Sequence, residues 1–233
     1  CPGLGFILFD LDKQTTAAVP LPGQGQFDAD PAGSGDVNDF IYGTNTDPSR
    51  RNTADTLYVL DSVTASAFRM DLPPGITSFV NLNALPQMNA LIGLAANRAA
   101  GDAGFVFFDL DRAEAKVLPT PEGFSQVNLM GVFPTTRKLV ARGNRTGGTG
   151  FQYLIYDLMS GDLLMPPNPE GVASVGAAPP RATQPAVPGG AAPGGTPAPA
   201  AVLQRVNPKA NSVAAVAFDG KGKQVGVIVL RVP

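Results

Sequence analysis

The chain has 233 residues, a formal net charge of −2, no His, no Trp and one cysteine, Cys1. Without a basic excess to neutralise phosphates, nucleic-acid binding is disfavoured; without His these residues hold no Ser-His-Asp or Cys-His site, and one cysteine forms no intrachain disulfide. Apolar residues make up 44% and charged residues 15%, so Ser, Thr, Asn, Gln, Gly and Pro must cover much of the surface, and no run of 18 apolar residues offers a membrane-spanning helix.

Cys1 admits two readings: the lipid-modified first residue of a bacterial lipoprotein, or the cut end of a fragment. Pro2-Gly3-Leu4-Gly5 leads at once into a predicted strand, Phe6 to Phe9, closed by Asp10. A second strand, Ala18-Val19, ends in Pro20. Asp28, Asp30, Asp36 and Asp39 then share a Gly-rich stretch. Carboxylate oxygens suit Ca²⁺, yet the twelve-residue loop ending in Glu is missing, so a solvated loop is the simpler reading.

The dominant signal is a repeat. Phe6-Ile7-Leu8-Phe9-Asp10 is followed by Leu57-Tyr58-Val59-Leu60-Asp61, Phe105-Val106-Phe107-Phe108-Asp109 and Tyr153-Leu154-Ile155-Tyr156-Asp157. The four Asp residues stand 51, 48 and 48 positions apart. After each comes a polar turn and a strand closed by proline, at Pro20, Pro73, Pro119 and Pro166. Proline cannot donate to a ladder, which suits an edge strand. Before the last three copies lie Phe40–Gly43, Leu91–Leu94 and Lys138–Ala141, each predicted as a strand. Polar loops are expected over Asn45–Asp55, Asn97–Gly104 and Gly143–Gly150. A fifth copy is read in Val213–Phe218 and Gly226–Arg231, with Arg231 in the Asp position. Four-residue apolar runs imply strands buried on both faces. The Asp at each strand end is expected to accept backbone N–H groups of its turn, a structural role for Asp10, Asp61, Asp109 and Asp157.

Residues 177–201 are low-complexity Pro, Gly and Ala with one charge, Arg181. Such a stretch buries too little to offset ordering entropy, and is expected to loop out between strands of the last repeat as a linker or a partner-binding arm. The Gly-rich run ending at Gly150 precedes a strand instead of a helix, so it is no phosphate cradle.

Phe133-Pro134-Thr135-Thr136-Arg137-Lys138, then Tyr153 to Asp157, then Ser160-Gly161-Asp162 resembles a blade of the WD40-like, TolB-type or YVTN-type β-propellers. The Gly-His and Trp-Asp pairs of strict WD40 repeats are missing. The resemblance implies an all-β fold of four-stranded antiparallel blades, about five or a segment of a larger propeller. It implies one domain over 1–233, with an insertion at about 177–201.

The function expected is a non-catalytic scaffold or accessory subunit in a bacterial envelope complex, periplasmic or extracellular, that binds a protein partner. No cofactor, catalytic residue or metal ligand is assigned. Arg50, Arg51, Arg137, Lys138, Arg142 and Arg145 are candidate loop contacts for an acidic partner, and Cys1 a candidate lipid-attachment site. Two alternatives stay open. One is a propeller binding or hydrolysing a sugar or lactone with a carboxylate-bound metal. The other is a subunit of an extracellular assembly joined through open strand edges.

Overall fold

A computed structural model describes residues 6–20, 22, 35–46, 54–97, 101–147, 150–176 and 204–233. Cys1, Asp28, Asp30, Arg50, Arg51 and the stretch 177–201 lie outside the described residues. The described secondary structure is antiparallel β throughout, with two single-turn 3₁₀ helices at Pro86–Met88 and Pro208–Ala210. The chain divides into two compact units, Cys1–Pro119 and Thr120–Pro233.

In the first unit, β1 (Phe6–Asp10) and β2 (Thr15–Val19) form a hairpin. The next four strands are β3 (Gly35–Val37), β4 (Phe40–Thr46), β5 (Ala54–Asp61) and β6 (Ser66–Met70). They pair strictly in sequence order, as a meander. Strands β7 (Ser78–Leu85), β8 (Ala90–Asn97), β9 (Gly101–Asp109) and β10 (Glu114–Pro119) repeat that meander. One bridge, Ala54 to Phe79, links the two ladders.

In the second unit, β11 (Phe124–Phe133), β12 (Lys138–Arg145), β13 (Phe151–Asp157) and β14 (Leu163–Leu164) make a third meander. The last ladder holds β15 (Ser174–Val175), β16 (Gln204–Asn207), β17 (Ser212–Phe218) and β18 (Gln224–Arg231). Here β15 and β16 both pair with β17, against Ala217–Phe218 and Ser212–Ala215 respectively. Gly176 N donates to Val216 O (2.8 Å) between them. β15 and β16 therefore share one edge of β17, one after the other along it.

Three of the four apolar runs are buried on both faces, whereas in the first Ile7 and Phe9 are exposed, against the expectation from its composition. Among Leu57–Leu60, Phe105–Phe108 and Tyr153–Tyr156 no side chain is more than 3% exposed. Strands extend further into the polar segments than their composition suggests. β4 continues to Thr46, β8 to Asn97 and β12 to Arg145, because cross-strand backbone pairing tolerates polar side chains near a strand end.

Each repeat is held by the same backbone device. The residue four after the repeat Asp is left-handed: Gln14, Ala65, Ala113 and Gly161 have φ of 52°, 55°, 53° and 83°. A second left-handed residue precedes the following ladder's second strand, at Asn38, Asn89, Arg137 and Asn211. The carbonyls of Asn89, Arg137 and Asn211 accept from Leu110, Leu158 and Val232 N, each one residue past the repeat position. In the first ladder Asp39 O accepts from Ser62 N. Arg231 thus occupies the Asp position of a fifth repeat by backbone geometry as well as by sequence.

Candidate functional site

The repeated carboxylates sit in their own turns. Asp61 Oδ1 accepts from Val63 N (2.9 Å) and Thr64 N (3.1 Å). Asp157 Oδ1 accepts from Met159 N (2.8 Å) and Ser160 N (2.9 Å). Asp109 Oδ1 accepts from Arg112 N (3.1 Å). The side chain of Asp10 lies outside the described residues. The N–H of Thr64, then its hydroxyl, and after them the N–H of Val63 hold the Asp61 carboxyl below the usual carboxylate range. Asp61→Ala should destabilise the protein by about 1 kcal/mol, as removal of a local side-chain cap does. Thermal denaturation of the variant checks this.

The third ladder departs from the others. Lys138 and Asp157, opposite each other on β12 and β13, form an ion pair at 2.6 Å, with side chains 25% and 24% exposed. That bond, followed by the N–H of Ser160, pulls the Asp157 carboxyl down to about 2. At the other end of β12, Arg142 faces Tyr153 and Asn144 faces Phe151. The Arg142 guanidinium stacks on the Phe151 ring, 4.5 Å from its centroid. Its Nε and Nη1 are buried without an acceptor. Tyr153 is 3% exposed, and its hydroxyl has no hydrogen-bond partner; Asn144 Oδ1 is likewise buried and unpaired. Burial pushes the Tyr153 phenol up to about 12, partly offset by the neighbouring cation. Burial also lowers the Arg142 pKa.

Arg145 projects from the opposite face of β12. Its Nη2 donates to Gln152 Oε1, and its guanidinium lies 6.0 Å from the Phe124 ring centroid. Gly143 permits this packing, since a Cβ there would come within 2.4 Å of Phe124 Cδ1. The cationic residues therefore do not share one loop. Arg137 is in the β11–β12 turn and Lys138 opens β12, whereas Arg142 and Arg145 lie near its far end, about 13 to 23 Å along the strand. Among the described residues no three Cys, Asp or Glu side chains gather as a metal would require; Asp36 and Asp39 stand on β3 and in the turn after it. Sequence reasoning picked out Arg142 and Arg145 but missed Tyr153 and Asn144. The one signal available was the charge of Arg142, where β8 has Leu94, β17 has Val216 and β4 has the uncharged Thr44.

No family model matches the chain, and no curated protein matches it. Among solved structures the chain is similar to a dipeptidyl aminopeptidase IV assignment from Bacteroides ovatus, at 10% identity and a TM-score of 0.43, over 91% of this chain and 36% of that one. It is also similar to TolB from Acinetobacter baumannii, at 15% identity and a TM-score of 0.35, over 96% of this chain and 48% of that one. The chain thus spans less than half the length of either. No helix among the described residues is long and apolar enough to cross a membrane.

Proposed function

We propose that the chain is an array of β-propeller blades acting as a non-catalytic binding module, which engages a protein partner in the periplasm or at the cell exterior. The observation that carries this reading is the Arg142, Asn144 and Tyr153 cluster. At the register occupied here by Arg142 and Tyr153, the first ladder has Thr44 and Leu57, the second Leu94 and Phe105, and the last Val216 and Val227, so only the third ladder carries a charge there. A repeat that breaks its own apolar pattern with unpaired buried polar groups weakens itself locally, and such departures concentrate at functional sites. The cluster holds a guanidinium and a phenol, donors of the kind that recognise a carboxylate, and of the two residues Arg142 is the one that is only partly buried. Arg145, exposed on the opposite face, adds a second cation at the same strand end.

The test is co-purification from native cells of the tagged chain and of the double variant Arg142→Ala/Arg145→Ala. A recurrent partner that the double variant loses at least tenfold is the expected result. A partner set unchanged by the double variant would overturn the assignment to β12.

A further inference from the structure

The formal charge of −2 hides two opposite halves. The first unit, 1–119, holds 7 Lys and Arg against 14 Asp and Glu, and the second, 120–233, holds 10 against 5, so their net charges are −7 and +5. The second unit therefore attracts a partner of negative charge, and the first repels it. Within the second unit only Lys138 forms an ion pair among the described residues. Arg137, Arg145, Arg205, Lys209, Lys221 and Lys223 are exposed.

Four cations lie at one end of this unit, where β12 turns into β13 and β17 into β18. Arg145 closes β12, and Arg142 stacks on Phe151, the first residue of β13. Phe151 N donates to Ser174 Oγ (3.0 Å), and Ser174 pairs with Phe218, the last residue of β17. The turn after Phe218 carries Lys221 and Lys223, and Asp219 Oδ1 accepts the backbone N–H of both (2.9 Å each). The turn is thus fixed through its backbone, with both lysines exposed.

Carboxylates are interleaved with these cations. Glu122 precedes Gly123, whose carbonyl accepts from Thr146 N (2.8 Å), and Glu170 is close in sequence to Ala173, whose N–H donates to Phe218 O (2.9 Å). Both acids are exposed. A nucleic acid or an anionic bilayer is negative everywhere and would be repelled by them. An acidic protein segment can set its carboxylates against the cations alone. A lone carboxylate at Arg142 would leave Lys221 and Lys223 unused.

Resting on the reading of β12 as a contact site, we propose that the partner there presents a segment of several acidic residues, which lies across this end of the second unit from Arg145 to Lys221 and Lys223. The positive field of the whole unit steers that segment to the site.

Fluorescence anisotropy of a dye-labelled Glu-Ser repeat peptide, titrated with the full chain, tests the proposal, with a Gln-Ser peptide as control. The Glu peptide is expected to bind and the Gln peptide not. Affinity should fall about tenfold between about 50 and 300 mM salt. It should fall about fivefold in Lys221→Gln/Lys223→Gln and stay unchanged in Arg69→Gln of the first unit. The lysine substitutions keep the N–H groups that Asp219 accepts, and unchanged circular dichroism verifies folding. A Glu peptide that does not bind at the lower salt, or an equal affinity in the lysine and Arg69 variants, overturns the proposal. So does a single-stranded oligonucleotide or a phosphatidylglycerol vesicle that binds as tightly as the Glu peptide. Co-purification from native cells separates this failure from that of the β12 reading. A partner lost by Arg142→Ala/Arg145→Ala and kept by Lys221→Gln/Lys223→Gln overturns the acidic segment alone, and a partner kept by both variants overturns both.

Discussion

Asp157→Ala is expected to destabilise the protein by about 3 kcal/mol, well beyond the effect at Asp61. Both carboxylates accept two backbone N–H groups of their turn, so that part of the loss is shared. Only Asp157 also pairs with a half-buried lysine. Removing it leaves the Lys138 ammonium three-quarters covered without its counter-charge, which costs more than the pair itself contributes. In the second ladder the residue opposite the repeat Asp is Ala90, and in the first it is Phe40, so neither has an equivalent of this pair.

A pH dependence follows from the same pair. A carboxylate depressed in the folded state stabilises the fold above its unfolded pKa, and that contribution disappears as pH falls through the folded value. For Asp157 the window runs from its ordinary 3.8 down to about 2. The contribution at stake is on the order of 2 kcal/mol, and less where solvent screens the pair. Urea denaturation across this window should show stability falling in the wild type, with a flatter slope in Lys138→Met. An equal slope in both would mean that the turn amides alone depress the carboxyl.

Arg142→Met is expected to change stability in the opposite direction, raising it by about 1–2 kcal/mol and the Tm by a few degrees. The guanidinium leaves water with Nε and Nη1 unpaired, a desolvation cost that the stack on Phe151 offsets by about 1 kcal/mol. Methionine keeps the length of the stem and a favourable contact with the ring, and it removes the charge. The same substitution should weaken partner capture at least tenfold. A gain in stability paired with a loss of binding separates a functional residue from a structural one. If Arg142→Met loses stability instead, the guanidinium contributes to the fold itself, and the cluster ceases to mark a site.

The periodic Asp and the buried runs were legible because they are backbone requirements, seen at Asp61, Asp109 and Asp157 and in the three runs that precede them. Strands with both faces covered must be continuously apolar, as in Phe105–Phe108, and the turn after each needs an acceptor at one fixed position. The first strands of the ladders were harder to read. β7 carries Asn81 and Asn83, and β11 carries Gln126 and Asn128, so their composition resembles loops. Both strands also shift register, between Val80 and Asn83 and between Leu129 and Gly131, which breaks the period-two pattern that identifies a strand. The candidate site was half legible. Arg142 and Arg145 stand out by charge. Tyr153 reads as one more aromatic in an apolar run, and only the cross-strand register places its hydroxyl beside Arg142. The exposure of Ile7 and Phe9 escapes sequence reading altogether, since these residues match those of the buried repeats.

The most direct test of partner binding at the end of β12 is site-specific photocrosslinking in native cells. A benzophenone amino acid is placed at Thr146, exposed and next to Arg145, with a second probe at Val63 in a turn of the first ladder. A discrete heterologous crosslink from position 146 that disappears in the Arg142→Ala/Arg145→Ala background, with none from position 63, is the predicted result. Crosslinks of equal yield from both positions, or a crosslink from 146 that persists without the two arginines, would contradict it.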